Sequence, residues 1–270
     1  MGELAPAASP LSSADLNDLA EARRLLENPS LAARLSDLVG RPLEGGLQRL
    51  PDGWRGRIDA ITNAALERAL QLAISTLNEK SLDPALKRHR FAAALSGGLG
   101  GAFGLPALAV ELPVSTTLML RSIGAIAQAQ GESLDSPEAR VQCLQVFALG
   151  GPTRRDDATE TGYFATRALL ARAVSEAAAH FAGAGLGSGS APALARLITA
   201  IASRFSIVVS QKAAAQAVPL VGAVGGAMIN AAFIEHFQGI ARGHFTIRRL
   251  ERRHGQAWVR ERYQALLTDN

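Results

Sequence analysis

The chain has 270 residues, long enough to bury most of its apolar surface in one core. Hydrophobic residues make up 48% and aromatics only 5%, so the apolar content is mainly Ala and Leu, which favours helix over sheet. A net charge of +4 is too mild an excess to indicate nucleic acid, and the one cysteine, Cys143, cannot form an internal disulfide.

Residues 1–14 are rich in Pro, Ala and Ser and are expected to form a disordered tail, with residues 15–270 making one helical domain. The first fifteen residues hold neither a basic start nor a continuous apolar run, so no secretory signal is read there and a cytoplasmic setting is expected. Asp15 to Glu27 and Leu31 to Val39 read as short helices parted by Asn28 and Pro29. From Trp54, the apolar positions Ile58, Ile61, Leu66, Ala69, Leu72, Ala73 and Leu77 recur at three- and four-residue steps, predicting an amphipathic helix of about 25 residues that ends before Asp83 and Pro84.

Two stretches, Phe91 to Val110 and Ala213 to Ile234, carry no charge. Each is long enough to cross a hydrocarbon core as a helix, but eleven of twenty residues in the first and eleven of twenty-two in the second are Ala or Gly, with Pro106 and Pro219 inside. Ala and Gly contribute little transfer energy, so buried helical hairpins are expected instead. The pairs Gly97/Gly101, Gly100/Gly104 and Gly222/Gly226 put small residues on one helix face, which suits close packing. A dinucleotide fingerprint over Gly98, Gly100 and Gly104 lacks the preceding strand that it requires. Helical periodicity continues through Val114 to Gln130, Glu138 to Leu149, Tyr163 to Ala182, Ala193 to Ala217, Glu235 to His254 and Gln256 to Leu267. A faint internal echo sets Glu111 and Arg121 of the first half against Glu235 and Arg242 of the second.

Four separated runs resemble one known family: ELPVSTTLMLRSI (Glu111 to Ile123), VFALGG (Val146 to Gly151), GYFATR (Gly162 to Arg167) and the long run from Val209 to Gly255. In order and together they are similar to the bacterial EcsC protein family, over roughly Glu21 to Gly255. The resemblance implies a helical protein whose namesake is encoded beside the ATPase and membrane subunits of an ABC transporter. It carries over no catalytic residue.

Arg121 is the only charge between Val114 and Gln130, and a guanidinium there needs a partner, for which Glu111, Glu176 and Glu235 are the candidates for a structural ion pair. Arg172, Glu176 and His180 step by four along one strip of helix, a spacing at which a carboxylate and an imidazole can share a metal or a proton. Without a His-Glu-x-x-His motif, a solvated or interhelical polar face is the expected reading. His180, His236 and His244 form the candidate polar site, with His244 on the stripe Phe233, Phe237, Ile240, Ile247 and so expected to be a satisfied core histidine.

Two basic clusters flank the uncharged stretches: Lys87, Arg88 and Arg90 before the first, and Arg248, Arg249, Arg252 and Arg253 after the second. Basic residues beside apolar segments suit an anionic membrane surface. The fold class expected is therefore all-α, a compact bundle with two buried Ala/Gly-rich hairpins. The functional expectation is a non-enzymatic accessory protein at the inner face of the membrane, acting with membrane or transporter components, with no metal, no cofactor and no nucleic acid. The alternatives are a hydrolase, metal-dependent or not, using Glu176, His180, Glu235, His236 or His244, and a carrier of a small apolar ligand or lipid.

Overall fold

The computed structural model describes residues 12–27, 31–40, 50, 52–75, 105–151, 162–184, 192–218 and 222–268. Among these there are nine α-helices and no strand. They are α1 (Ser13–Glu27), α2 (Leu31–Val39), α3 (Trp54–Ser75), α4 (Leu108–Ala129), α5 (Pro137–Leu149), α6 (Gly162–Ala184), α7 (Pro192–Gln216), α8 (Gly222–His254) and α9 (Gln256–Thr268), with a 3-10 turn at Leu105–Ala107.

Local chemistry sets several ends. The Ser12 hydroxyl accepts the Asp15 backbone N–H at 3.1 Å and so caps α1. Ser136 precedes Pro137 at the start of α5, where proline's missing N–H costs nothing. Gly255, at φ +87, supplies the left-handed residue that separates α8 from α9.

The centre of the bundle is α5 and α7. From Val141 to Leu149 every residue of α5 is buried, so neighbours cover the helix around most of its circumference. Phe147 of α5, Phe205 of α7 and Phe233 and Phe237 of α8 meet in one aromatic cluster with centroids 5.1 to 6.1 Å apart. Gly150 closes this layer: a Cβ there would lie 3.0 Å from Phe237 Cδ1 and closer still to Cε1, so only glycine fits the VFALGG run at this point. By length and composition α7 could cross a bilayer; Leu197, Ile201, Phe205, Val208 and Val209 are buried against its neighbours, while Ile207 stands exposed.

Around this centre α4 and α8 run parallel, pinned in register by Gln238 donating to Ser122 at 2.7 Å and Arg248 donating to Glu132 at 2.8 Å. Against the far half of α8 lies α1, antiparallel, with Asp15 beside Arg253 and Asp18 beside Arg249. Its close crossing needs Gly243, where a Cβ would sit 2.7 Å from Leu26 Cγ and 3.0 Å from the Ala22 carbonyl oxygen.

The second uncharged stretch differs from expectation. Ala213 to Gln216 finish α7 and Gly222 to Ile234 open α8, which runs unbroken for 33 residues, so the stretch is shared between two long helices and no separate helix begins at Glu235. Pro219 lies outside the described residues, as do residues 91–104 of the first stretch with its glycines, and residues 1–11 of the expected tail. α4 begins at Leu108 and tolerates Pro113 inside it, six residues earlier than the periodicity from Val114 suggests.

Candidate functional site

The near ends of α4 and α8 meet at a buried cation. Lys212, near the C-terminus of α7, is wholly buried and donates to Glu111 Oε2 at 2.6 Å and to Asn230 Oδ1 at 2.9 Å. Its ammonium also lies 4.4 Å from the centre of the Phe233 ring. Burial pulls its pKa below the usual lysine value, and the Glu111 carboxylate opposes that pull. The second Glu111 oxygen, Oε1, is buried with no hydrogen bond.

This arrangement corrects the expected pairing of Arg121. Glu111 goes to Lys212; Glu176 takes Arg172 at 2.8 Å and Arg196 at 2.8 Å on the surface; Glu235 takes Arg34 at 2.9 Å. Arg121 is half-buried and reaches none of the three. The physical reason is desolvation: the wholly buried ammonium needs the buried carboxylate, whereas a guanidinium on a long stem can lead its charge outward. The internal echo is not structural either, since Glu111 sits buried in the first turn of α4 and Glu235 is an exposed residue midway along α8.

Beside this lock the same ends of α4 and α8 are apolar outside as well. Val110 (75% exposed) and Val114 stand one turn apart on α4, on either side of Glu111 in sequence, and Val224 (76% exposed) and Met228 stand one turn apart on α8, just before Asn230. Because Glu111 and Asn230 share one ammonium and the helices are parallel, all four exposed side chains belong to one end of the bundle.

The histidines do not gather. His244 is fully buried, accepts the Tyr163 O–H at Nδ1 (2.9 Å) and donates from Nε2 to Gln142 Oε1 (3.1 Å), a satisfied core histidine as its stripe suggests. Burial, with Arg167 and Arg248 nearby, holds its pKa well below the ordinary imidazole value. Eight residues back along α8, His236 donates to the Gly150 carbonyl at 2.8 Å, and burial lowers its pKa too. His180 lies on α6, half-buried. Among the described residues no group of three or more His, Cys, Asp or Glu stands together as metal ligands would.

The second basic cluster is not a free surface. Arg248 pairs with Glu132 at 2.8 Å and Glu138 at 3.1 Å, Arg249 with Asp18 at 2.5 Å, Arg252 with Glu132, and Arg253 with Asp15 at 3.3 Å. These arginines clasp α1 and the α4–α5 turn onto α8. Val224 and Arg252 are 28 residues apart on one helix, about 40 Å at 1.5 Å per residue, so the cluster cannot flank the apolar end. Lys87, Arg88 and Arg90 lie outside the described residues.

Sequence reasoning missed Lys212, although one signal was available. It is one of only three lysines, and it continues the buried stripe Ile201, Phe205, Val208 at a four-residue step, directly before an uncharged run. Asn230, a lone amide inside that run, belonged to the same signal.

No curated protein and no solved structure matches the chain significantly. Residues 45–250, which hold the Glu111–Lys212–Asn230 lock, the VFALGG turn and the Tyr163–His244 pair, match the EcsC protein family, and the chain belongs to that family.

Proposed function

We propose that this EcsC-family chain is a non-enzymatic, membrane-peripheral accessory protein that seats the α4/α8 end of its bundle on a lipid bilayer, where it acts with membrane or transporter components. The observation that carries the reading is the convergence, at one end, of both helices that open in the uncharged stretches, each with two exposed apolar side chains one turn apart: Val110 and Val114, Val224 and Met228. The buried Lys212 lock supports it, because it holds α4, α7 and α8 together at that end with no exposed charge of its own. Contact through such a surface is driven by apolar burial rather than by the Arg248 to Arg253 cluster, whose charges are paired with Asp15, Asp18, Glu132 and Glu138.

The test is co-sedimentation of the full chain with phosphatidylcholine vesicles and with vesicles containing phosphatidylglycerol, at low and at high salt. Binding to both that survives high salt is expected. Val224→Ser with Met228→Ser removes about 2 kcal/mol of apolar burial, which is about 30-fold in partitioning. Wild-type protein that stays in the supernatant with both vesicles, or a double variant that sediments as well as wild type, would overturn the lipid reading.

A further inference from the structure

A second site lies near the other half of α8 and is independent of the lipid reading. Between α5 and α6, with Arg248 of α8 and Gln256 of α9 at its side, is a cleft of about 600 Å³, within the range of small-molecule sites. We propose that this cleft binds a small aliphatic monocarboxylate, its head on the α5 glutamines and the two arginines and its chain along α6.

The floor is short of acceptors to satisfy it. Gln145 is only 3% exposed, lines the cleft and makes no hydrogen bond within the protein. Its amide therefore opens to the cleft rather than to a protein partner, and is free to bond a ligand there. Gln142 beside it is fixed by a directional chain of bonds. Arg167 can only donate; it gives two bonds to Glu251, at 2.7 and 3.1 Å, and one to the Tyr163 oxygen at 3.3 Å. The Tyr163 proton is thereby left for His244 Nδ1, so the neutral imidazole carries its own proton on Nε2 and donates it to Gln142 Oε1. The Gln142 NH₂ is the end of the chain left over, on a residue that lines the cleft. Arg248 spends Nε and Nη2 on Glu132 and Glu138 and leaves Nη1 without a bond.

The cleft therefore offers unspent N–H donors on Gln142, Gln145 and Arg248 to a ligand's oxygens, beside acceptor oxygens on Gln145 and Glu138. Its charge limits the ligand further: the guanidiniums of Arg167, Arg248 and Arg252 are balanced by the carboxylates of Glu251, Glu132 and Glu138, so the unspent N–H groups, not a surplus of positive charge, hold the ligand's oxygens. A balanced cluster of this kind takes one added negative charge at less cost than the two of a phosphate. The opposite wall is α6, where Ala171, Val174, Ala178 and Ala182 recur at steps of three and four to make one shallow apolar stripe. Small side chains leave room along it for an extended hydrocarbon chain.

The experiment is isothermal titration of the full chain with octanoate, below its micelle concentration, alongside octan-1-ol and acetate. Saturable binding of octanoate at one equivalent is expected, with octan-1-ol and acetate each at least tenfold weaker. Gln145→Leu, which removes an amide that bonds to nothing in the protein, is expected to keep the wild-type melting temperature and lose at least tenfold in octanoate affinity. Val224→Ser with Met228→Ser is expected to leave octanoate binding unchanged, so failure of the lipid reading and failure of this one are separate results. The proposal is overturned if octanoate shows no saturable binding, if octan-1-ol or acetate binds as tightly, or if Gln145→Leu binds octanoate as wild type does.

Discussion

Lys212 and Glu111 lie 101 residues apart in sequence and 2.6 Å apart in space, an ammonium and a carboxylate both removed from water. Each opens or closes an uncharged run, and among the described residues neither has another ion-pair partner. A buried pair of this kind is costly to break and cheap to replace, because the loss comes from the partner left behind rather than from the pair as such. Lys212→Met is therefore expected to destabilise the protein by about 3 to 5 kcal/mol. Lys212→Met combined with Glu111→Gln should recover most of that loss, and urea denaturation of the single and double variants measures the difference.

Acid sensitivity should arise near neutral pH. His244 is held neutral in the fold by burial and by Arg167 and Arg248, while the unfolded chain's imidazole protonates normally at about pH 6.5. Below that pH the unfolded state binds a proton that the native state refuses, so stability falls as pH falls, by up to about 1.4 kcal/mol per pH unit from this residue. His236, also lowered, adds a slope of the same sign. Denaturation midpoints of wild type and His244→Gln between pH 7.5 and 5 are expected to converge as the pH drops, with the variant showing the flatter profile.

Gly150→Ala is expected to destabilise by about 1 to 3 kcal/mol, the usual cost of forcing an added carbon into a packed core. The carbon would run into the Phe237 ring. In a Phe237→Leu background the same substitution should cost less, and a double-mutant cycle by thermal denaturation reads the coupling directly.

The arginines at the far half of α8 are expected to matter for stability rather than for lipid. Glu132 is almost fully buried beside Arg248 and Arg252, and those charges hold its carboxyl below the usual range against its burial. Glu132→Ala should cost about 2 to 3 kcal/mol, close to that for other charge-assisted bonds lost from a partly buried site. Arg253→Gln, at an exposed pair, should be near neutral, and neither change is expected to alter vesicle co-sedimentation.

The helices were readable because their signal is local. Three- and four-residue apolar steps in α3 and α7, Pro137 before α5 and Gly255 after α8 each act within a turn or two of themselves. The His244 stripe was equally legible, since burial of one face follows from period alone. Pairing was not legible: which carboxylate meets Lys212 depends on how α4 and α7 cross, and nothing in the hundred intervening residues encodes that distance locally. The same blindness made the Arg248 to Arg253 run look like a surface, because its partners, Asp15, Asp18, Glu132 and Glu138, come from three other parts of the chain. Gln145 escaped notice because an amide within an apolar helix reads as an imperfection until its neighbours are seen to leave it unbonded.

The clasp of α1 against α8 also bears on the order of events at the ribosome. Asp15 finds Arg253 across 238 residues, and Tyr263 reaches back to Glu27 across 236. At about 5 to 20 residues per second, α1 is synthesised roughly 12 to 50 s before the helix that covers it exists. Throughout that interval Leu19, Ala22 and Leu26 have no α8 to rest on, and a chain stalled before Gly243 would present them to any passing chaperone or protease.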